Sequence, residues 1–184
     1  MTPPNLAAGC HGDVRRDNWL DRYSGQRTSA SWAGTVRLWC ARRMLPRSPD
    51  TDTFWQAFRR YAGLDHDNYV VGSFGDSPEM ATELADLAMA GIKRATASLV
   101  HDYDDGREPI PRPGDFVMML DGERRPPFIW RTTEVTIKPL SQADEAFAWD
   151  EGEGDRTRDW WLDAHRRYFA RQASREGFDS ERSN

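Results

Sequence analysis

Between Ser77 and Gly91 the chain spells out a helix with both ends marked, and that bracket constrains what surrounds it. Ser77 has a capping side chain. Pro78 suits the first helical position, where a missing N–H costs nothing, and Glu79 meets the positive end of the helix dipole. Met80, Leu84, Leu87 and Ala88 recur at helical spacing, so one face is apolar and must be covered by another element. Gly91 ends the helix, since the left-handed conformation needed there suits glycine best.

The flanking segments supply the cover. Thr51 or Asp52 is expected to cap an earlier helix to about Ala62, with Phe54, Trp55, Phe58 and Tyr61 on its apolar face and Gly63 closing it. Strands are expected over 69–74, 94–100, 116–120 and 128–137, where β-branched and aromatic residues concentrate between turn signals. Asp104-Asp105-Gly106, Pro111-Arg-Pro-Gly114 and Asp121-Gly122 are those signals. Ser141 caps a short helix to about Asp150. Asp155 or Thr157 opens a last helix, with Trp160, Trp161, Ala164 and Tyr168 or Phe169 inward, running to about Arg171. The order is helix, strand, helix, three strands, two helices. It predicts an α+β fold, a small closed or partly closed β-barrel flanked by helices.

Residues 1–50 follow no helical or strand period for long. They carry eight arginines and four aspartates and are expected to be a poorly ordered, Arg-rich extension. Met44, directly before the first orderly segment, is an alternative start, with the preceding residues then not native. Because the whole chain is −5, residues 51–184 carry −9, which repels a phosphate backbone at long range. A mean hydropathy of −0.81 and the lack of an apolar run near the ~20 residues of a spanning helix predict no membrane association. No apolar signal-peptide core is found near the N-terminus, so a cytoplasmic location is expected. Cys10 and Cys40, far apart and outside any Cys-x-x-Cys, suggest neither a disulfide scaffold nor a zinc site. No cofactor is expected.

Several segments in order resemble the longer bacterial ASCH-domain proteins of the PUA-like superfamily. They are Phe54-Trp55, Ser73-Phe74-Gly75-Asp76, Leu84 to Leu99, Pro111-Arg-Pro-Gly-Asp115, Arg131-Thr-Thr-Glu-Val135, Phe147 to Asp155, and Trp161 with His165 and Phe169. The likeness covers about residues 52–178 and sets the domain at 51–184. It implies a PUA-like barrel that recognises RNA or a modified nucleoside in a cleft around Lys93. Amidohydrolase relatives use a lysine, a threonine three positions on, and a glutamate in an Ala-x-x-Glu context. Lys93, Thr96 and Glu151 match these positions. The alternative activity implied is therefore removal of an acyl group from an N4-acylated cytidine-like amide, with Thr96 as nucleophile and Lys93 as its base. Ribonuclease-type members carry a tyrosine about two turns before the lysine, where this chain has Leu87. Members of this length usually end on a further strand after the last helix, which predicts a barrel lacking that strand and, as a third alternative, a truncated, non-functional member.

Around these three residues, Ser73, Phe74, Arg94, Arg131 and Glu153 are the expected substrate-binding residues. Arg94, Arg112, Arg124, Arg125 and Arg131 would supply local positive charge for RNA. A threonine nucleophile needs a base, and a lysine serves as one only if its pKa is lowered; a carboxylate beside it works the other way. Glu151, Glu153 and Asp155 between glycines suggest a cation loop, but carboxylates at a helix N-terminus are the commoner cause, and no metal is expected. His165 reads as a core or interface histidine. Trp130 and Trp149 are the candidates for stacking a base.

Overall fold

The computed structural model describes residues 37–38, 44–106 and 108–178. The expected extension, residues 1–50, falls mostly outside them. So does the segment after the last helix, where the resemblance places a further strand.

The chain runs β1 (Arg37–Leu38), α1 (Pro49–Ala62), β2 (Val70–Ser73), α2 (Pro78–Met89), β3 (Phe116–Leu120), β4 (Phe128–Arg131), β5 (Glu134–Val135), α3 (Glu145–Glu151) and α4 (Arg158–Glu176). 3-10 helical segments occupy Val100–Gly106 and Leu140–Gln142. The central sheet is mixed: β2 lies parallel to β3, and β3 antiparallel to β4. β1 pairs with β5 in parallel. The α+β class is as expected, but the described strands form these two small sheets and do not close into a barrel.

The sheet is buried on both faces, and strand alternation divides the core. Val117, Met119, Phe128 and Trp130 face one side, where Leu84, Ala85 and Ala88 of α2, Phe147 and Ala148 of α3, and Trp161 and Phe169 of α4 cover them. Val71, Met118, Leu120 and Ile129 face the other, against Trp55 and Phe58 of α1. Three helices thus gather on one face of the sheet and one on the other.

Helix ends follow their caps. Ser48, not Thr51 or Asp52, caps α1: its side chain accepts from the Thr51 amide, and the Thr51 hydroxyl accepts from the Ser48 amide at 2.8 Å, with Pro49 at the first position. Thr51 is thereby drawn inside the helix and buried. Asp144 rather than Ser141 caps α3, accepting from Phe147 N at 2.8 Å. Thr157 caps α4, which runs past Arg171 to Glu176.

Two strand expectations fail. Residues 94–99 form no strand beyond a single bridge residue at Thr96: the amides of Arg94 and Ala95 both donate to the Asp150 carbonyl, at 2.6 and 3.0 Å, and bind the start of this segment to the end of α3. The 128–137 strand is broken into β4 and β5, with Thr132 N turning to the Asp115 carbonyl at 2.9 Å.

Candidate functional site

The segment after α2 and the end of α3 meet through those Asp150 bonds, and the meeting places Lys93 against Glu151. Gly152 makes the approach possible. It sits at φ 74, and a Cβ there would lie 2.7 Å from the Ile92 carbonyl oxygen. The left-handed turn closes α3 and sends Glu153 back toward the same lysine.

Lys93 is 1% exposed and Glu151 0%. The ammonium donates to Glu151 Oε2, to Glu153 Oε1 at 2.7 Å and, more distantly, to the Glu151 carbonyl at 3.5 Å. It also stands 5.3 Å from the centre of the Phe74 ring. Phe74 is held edge-on by Trp130 at 5.9 Å. Glu153, with its side chain 16% exposed, is the group through which the cluster meets solvent.

On the far side of Glu151 stands His165. Its Nε2 is 3.8 Å from Glu151 Oε1, an oxygen that has no hydrogen-bond partner. The imidazole stacks on Trp161 with centroids 4.0 Å apart, and Nδ1 lies 3.0 Å from the Trp161 carbonyl. The Trp161 indole N–H is directed at the Glu151 carboxyl without reaching full hydrogen-bond geometry.

Burial is the largest single influence on each of these groups, and it sets the direction for Glu151 and His165. It pushes Glu151 up to about 8, against the opposing pull of Lys93. Burial also drives His165 down to about 4. For Lys93 burial acts to lower the pKa, but the charges of Glu151 and Glu153 outweigh it and raise it. Glu153 is lowered, since Lys93 more than offsets its own burial. The raised pKa favours the ammonium form of Lys93. Its donors are directed to the two glutamates. The Thr96 hydroxyl, in a residue 5% exposed, has no hydrogen bond among the described residues, so the expected Lys93–Thr96 pairing is not formed.

The other expected residues separate. Ser73 ends β2, half-buried, opposite Leu120 of β3. Arg131 follows Trp130 in β4 and so points to the opposite face of the sheet, where its guanidinium lies 5.8 Å from the Phe116 ring, away from Lys93. Arg94 stays at the rim but is ion-paired to Asp150 at 2.5 Å. Arg125 is paired to Asp121 and Glu123, each at 2.9 Å. Trp130 is buried in the core, whereas Trp149 is 53% exposed, with the Arg156 guanidinium 3.6 Å from its ring centre. Asp155 turns away to bond the Thr157 amide and hydroxyl, at 2.9 and 2.7 Å, so the three carboxylates do not form a cation loop. Glu151, Glu153 and His165 each bring one donor atom within 4.8 Å of the others. The Lys93 ammonium already bonds both carboxylates, and the set is not assigned to a metal.

From the sequence His165 reads as a core or interface histidine and Trp161 as a core residue, neither as part of the site. The signal for more was their four-residue spacing on α4, which puts both on one helix face together with Phe169. Trp160, expected inward, is 37% exposed instead.

Comparison with known proteins agrees with this architecture. The chain is similar to a crystal structure of a DUF984-family protein from Enterococcus faecalis V583, with 34% identity over 71% of this chain and 78% of that one, and a TM-score of 0.64. It is also similar to the crystal structure of an ASCH domain from Lactobacillus crispatus JV V101, with 28% identity over 71% and 82% of the two chains and a TM-score of 0.62. No curated protein gives a significant match. The family model of the ASCH domain matches residues 70–183, which span the sheet, Lys93, both glutamates and His165, and the chain belongs to the ASCH domain family.

Proposed function

We propose that this ASCH domain recognises a nucleobase, in RNA or as a modified nucleoside, at the cluster of Lys93, Glu151 and Glu153. The observation that carries this reading is the burial of one ammonium and two carboxyl groups together. Removing such ions from water costs several kcal/mol each, and well-packed apolar residues would serve stability as well or better. Groups whose pKa values are pushed apart in this way cluster at functional sites. Donors and acceptors at fixed spacing suit the polar edge of a base, and the Phe74 ring adds an apolar surface beneath the ammonium.

Charge favours the base over the phosphates. Residues 51–184 are strongly acidic, and Arg94 and Arg125, two of the arginines expected to attract RNA, are already ion-paired. Binding of N4-acetylcytidine and of a short single-stranded RNA, measured by calorimetry on the full chain, tests the reading. Base recognition changes little between about 50 and 200 mM salt, whereas backbone-driven binding falls steeply. No binding of either ligand by folded protein would refute it.

One observation favours a second reading, the amidohydrolase. The Thr96 hydroxyl lies near Lys93 in sequence and has no hydrogen bond among the described residues. In this reading Thr96 attacks the acyl carbon of an N4-acylated cytidine-like amide and Lys93 takes its proton; that proton passes to the leaving cytidine amine as the C–N bond breaks, and water then hydrolyses the acyl-threonine to release the acid. Lys93 must first pass a proton to a neighbouring glutamate, against its raised pKa, which places this reading second. Release of acetate from N4-acetylcytidine that Thr96→Ala abolishes would move it to first.

A further inference from the structure

The ion pairs of the site leave one buried oxygen without a role. Glu151 Oε2 takes the Lys93 ammonium, while Oε1 has no partner and faces His165 Nε2 at 3.8 Å. The chemistry of Nε2 follows from the other ring nitrogen. Nδ1 lies 3.0 Å from the Trp161 carbonyl, which only accepts, so Nδ1 carries the N–H. With the ring neutral, Nε2 presents a lone pair. Two acceptors thus oppose each other in a buried place, where the Trp161 indole N–H is directed at the same carboxyl but falls short of hydrogen-bond geometry.

Charge counting also calls for one added proton. One ammonium and two ionised carboxylates leave a net negative charge in the interior, which is costly unless compensated. The groups facing Glu151 are Lys93 from the segment after α2, Glu153 from the loop after α3, and His165 with the Trp161 indole from α4. At the rim, Arg94 and Asp150 neutralise each other. One added proton makes the cluster neutral and separates the two opposed acceptors.

We propose that Glu151 is a neutral acid in the resting protein, with its proton on Oε1 and directed at His165 Nε2, so that His165 is a positioning residue for the protonation of the site. The functional meaning rests on the base-recognition reading: a neutral cluster with an acid O–H accepts an uncharged base edge without building net charge.

The test is made on the ligand-free full chain, labelled with 13C at the Glu carboxyls and 15N at the His rings, and followed by NMR across about pH 5 to 9. Glu151→Gln assigns the Glu151 signal. The expected result is a Glu151 titration near 8 and an Nδ1–H tautomer at His165. His165→Phe, which keeps an aromatic ring against Trp161 but removes the acceptor, lowers the Glu151 midpoint by about one unit, a tenfold loss of proton affinity. His165→Gln, whose carbonyl still accepts, retains most of the shift. A Glu151 that titrates in the ordinary carboxylate range overturns the proposal, as does an Nε2–H tautomer or a midpoint unmoved by His165→Phe. If His165→Phe does not fold, the wild-type tautomer and titration decide alone. Because no ligand is used, failure of a base to bind counts against the functional reading and leaves this result intact.

Discussion

Lys93 donates its ammonium to Glu151 across 58 residues of sequence, and neither side chain is exposed to solvent. A buried contact of this kind is a weak source of stability while it stands and a large liability when one partner is removed. The sheet faces and the helix contacts supply the hydrophobic burial, and this pair lies buried beside them as charge. Its consequences differ by residue, by pH and by backbone.

Lys93→Met leaves two carboxyl groups without their cation. We expect a loss on the order of 3 kcal/mol in urea denaturation near neutral pH. Adding Glu151→Gln to Lys93→Met should restore part of it, and a double-mutant cycle reads the coupling directly. If Lys93→Met alone is as stable as wild type, the ammonium is not buried as described.

Stability should fall as pH rises from about 6.5 to 8, and the sign follows from Glu151. Its folded pKa of about 8 lies above the unfolded value, so the fold holds a proton that the unfolded chain has lost, and that advantage disappears on titration through 8. His165, lowered to about 4, acts in the opposite direction below its unfolded value of about 6.5, where stability is lost as pH falls. The two therefore offset each other at lower pH and leave the upper window to Glu151. Glu151→Gln should flatten the profile between about 6.5 and 8 in denaturation measured at each pH.

Gly152→Ala should cost about 2 kcal/mol, through positive φ together with a Cβ driven against the Ile92 backbone. Gly63→Ala is the control. It shares the positive φ, at 65°, but meets nothing within 4 Å, and should cost about 1 kcal/mol. Equal losses in thermal denaturation would show that the Ile92 contact relaxes freely.

Thr157→Ala removes the side chain that accepts from the Trp160 amide and starts α4. About 1 kcal/mol of stability should be lost. Thr157→Ser retains the acceptor and should stay near wild type; a similar loss in both would assign the effect to the methyl group.

Local signals in the sequence placed part of the punctuation of the fold. Ser77 and Pro78 mark a helix start and Gly63 a helix end, because capping and left-handed closure are settled within a few residues of chain, whereas α1 and α3 take Ser48 and Asp144 as caps in place of the expected residues. The Lys93, Thr96 and Glu151 set was legible only through family likeness, since nothing in its local spacing distinguishes it from a helix end and a loop.

By itself the sequence determined the α+β class, the helices α2 and α4, and the β3 core strand, all products of short-range spacing and local hydrogen bonds. Tertiary structure alone decided the rest. The Asp150 carbonyl captured the Arg94 and Ala95 amides at the start of an expected strand. Strand alternation turned Arg131 to the far face. The folding of α4 against α3 set His165 opposite the unpaired oxygen of Glu151. The first and last of these depend on a carbonyl or a lone pair supplied from a distant part of the chain, and such a partner is fixed only when the elements dock; the face that Arg131 takes is set by the strand's own alternation once the strand has formed.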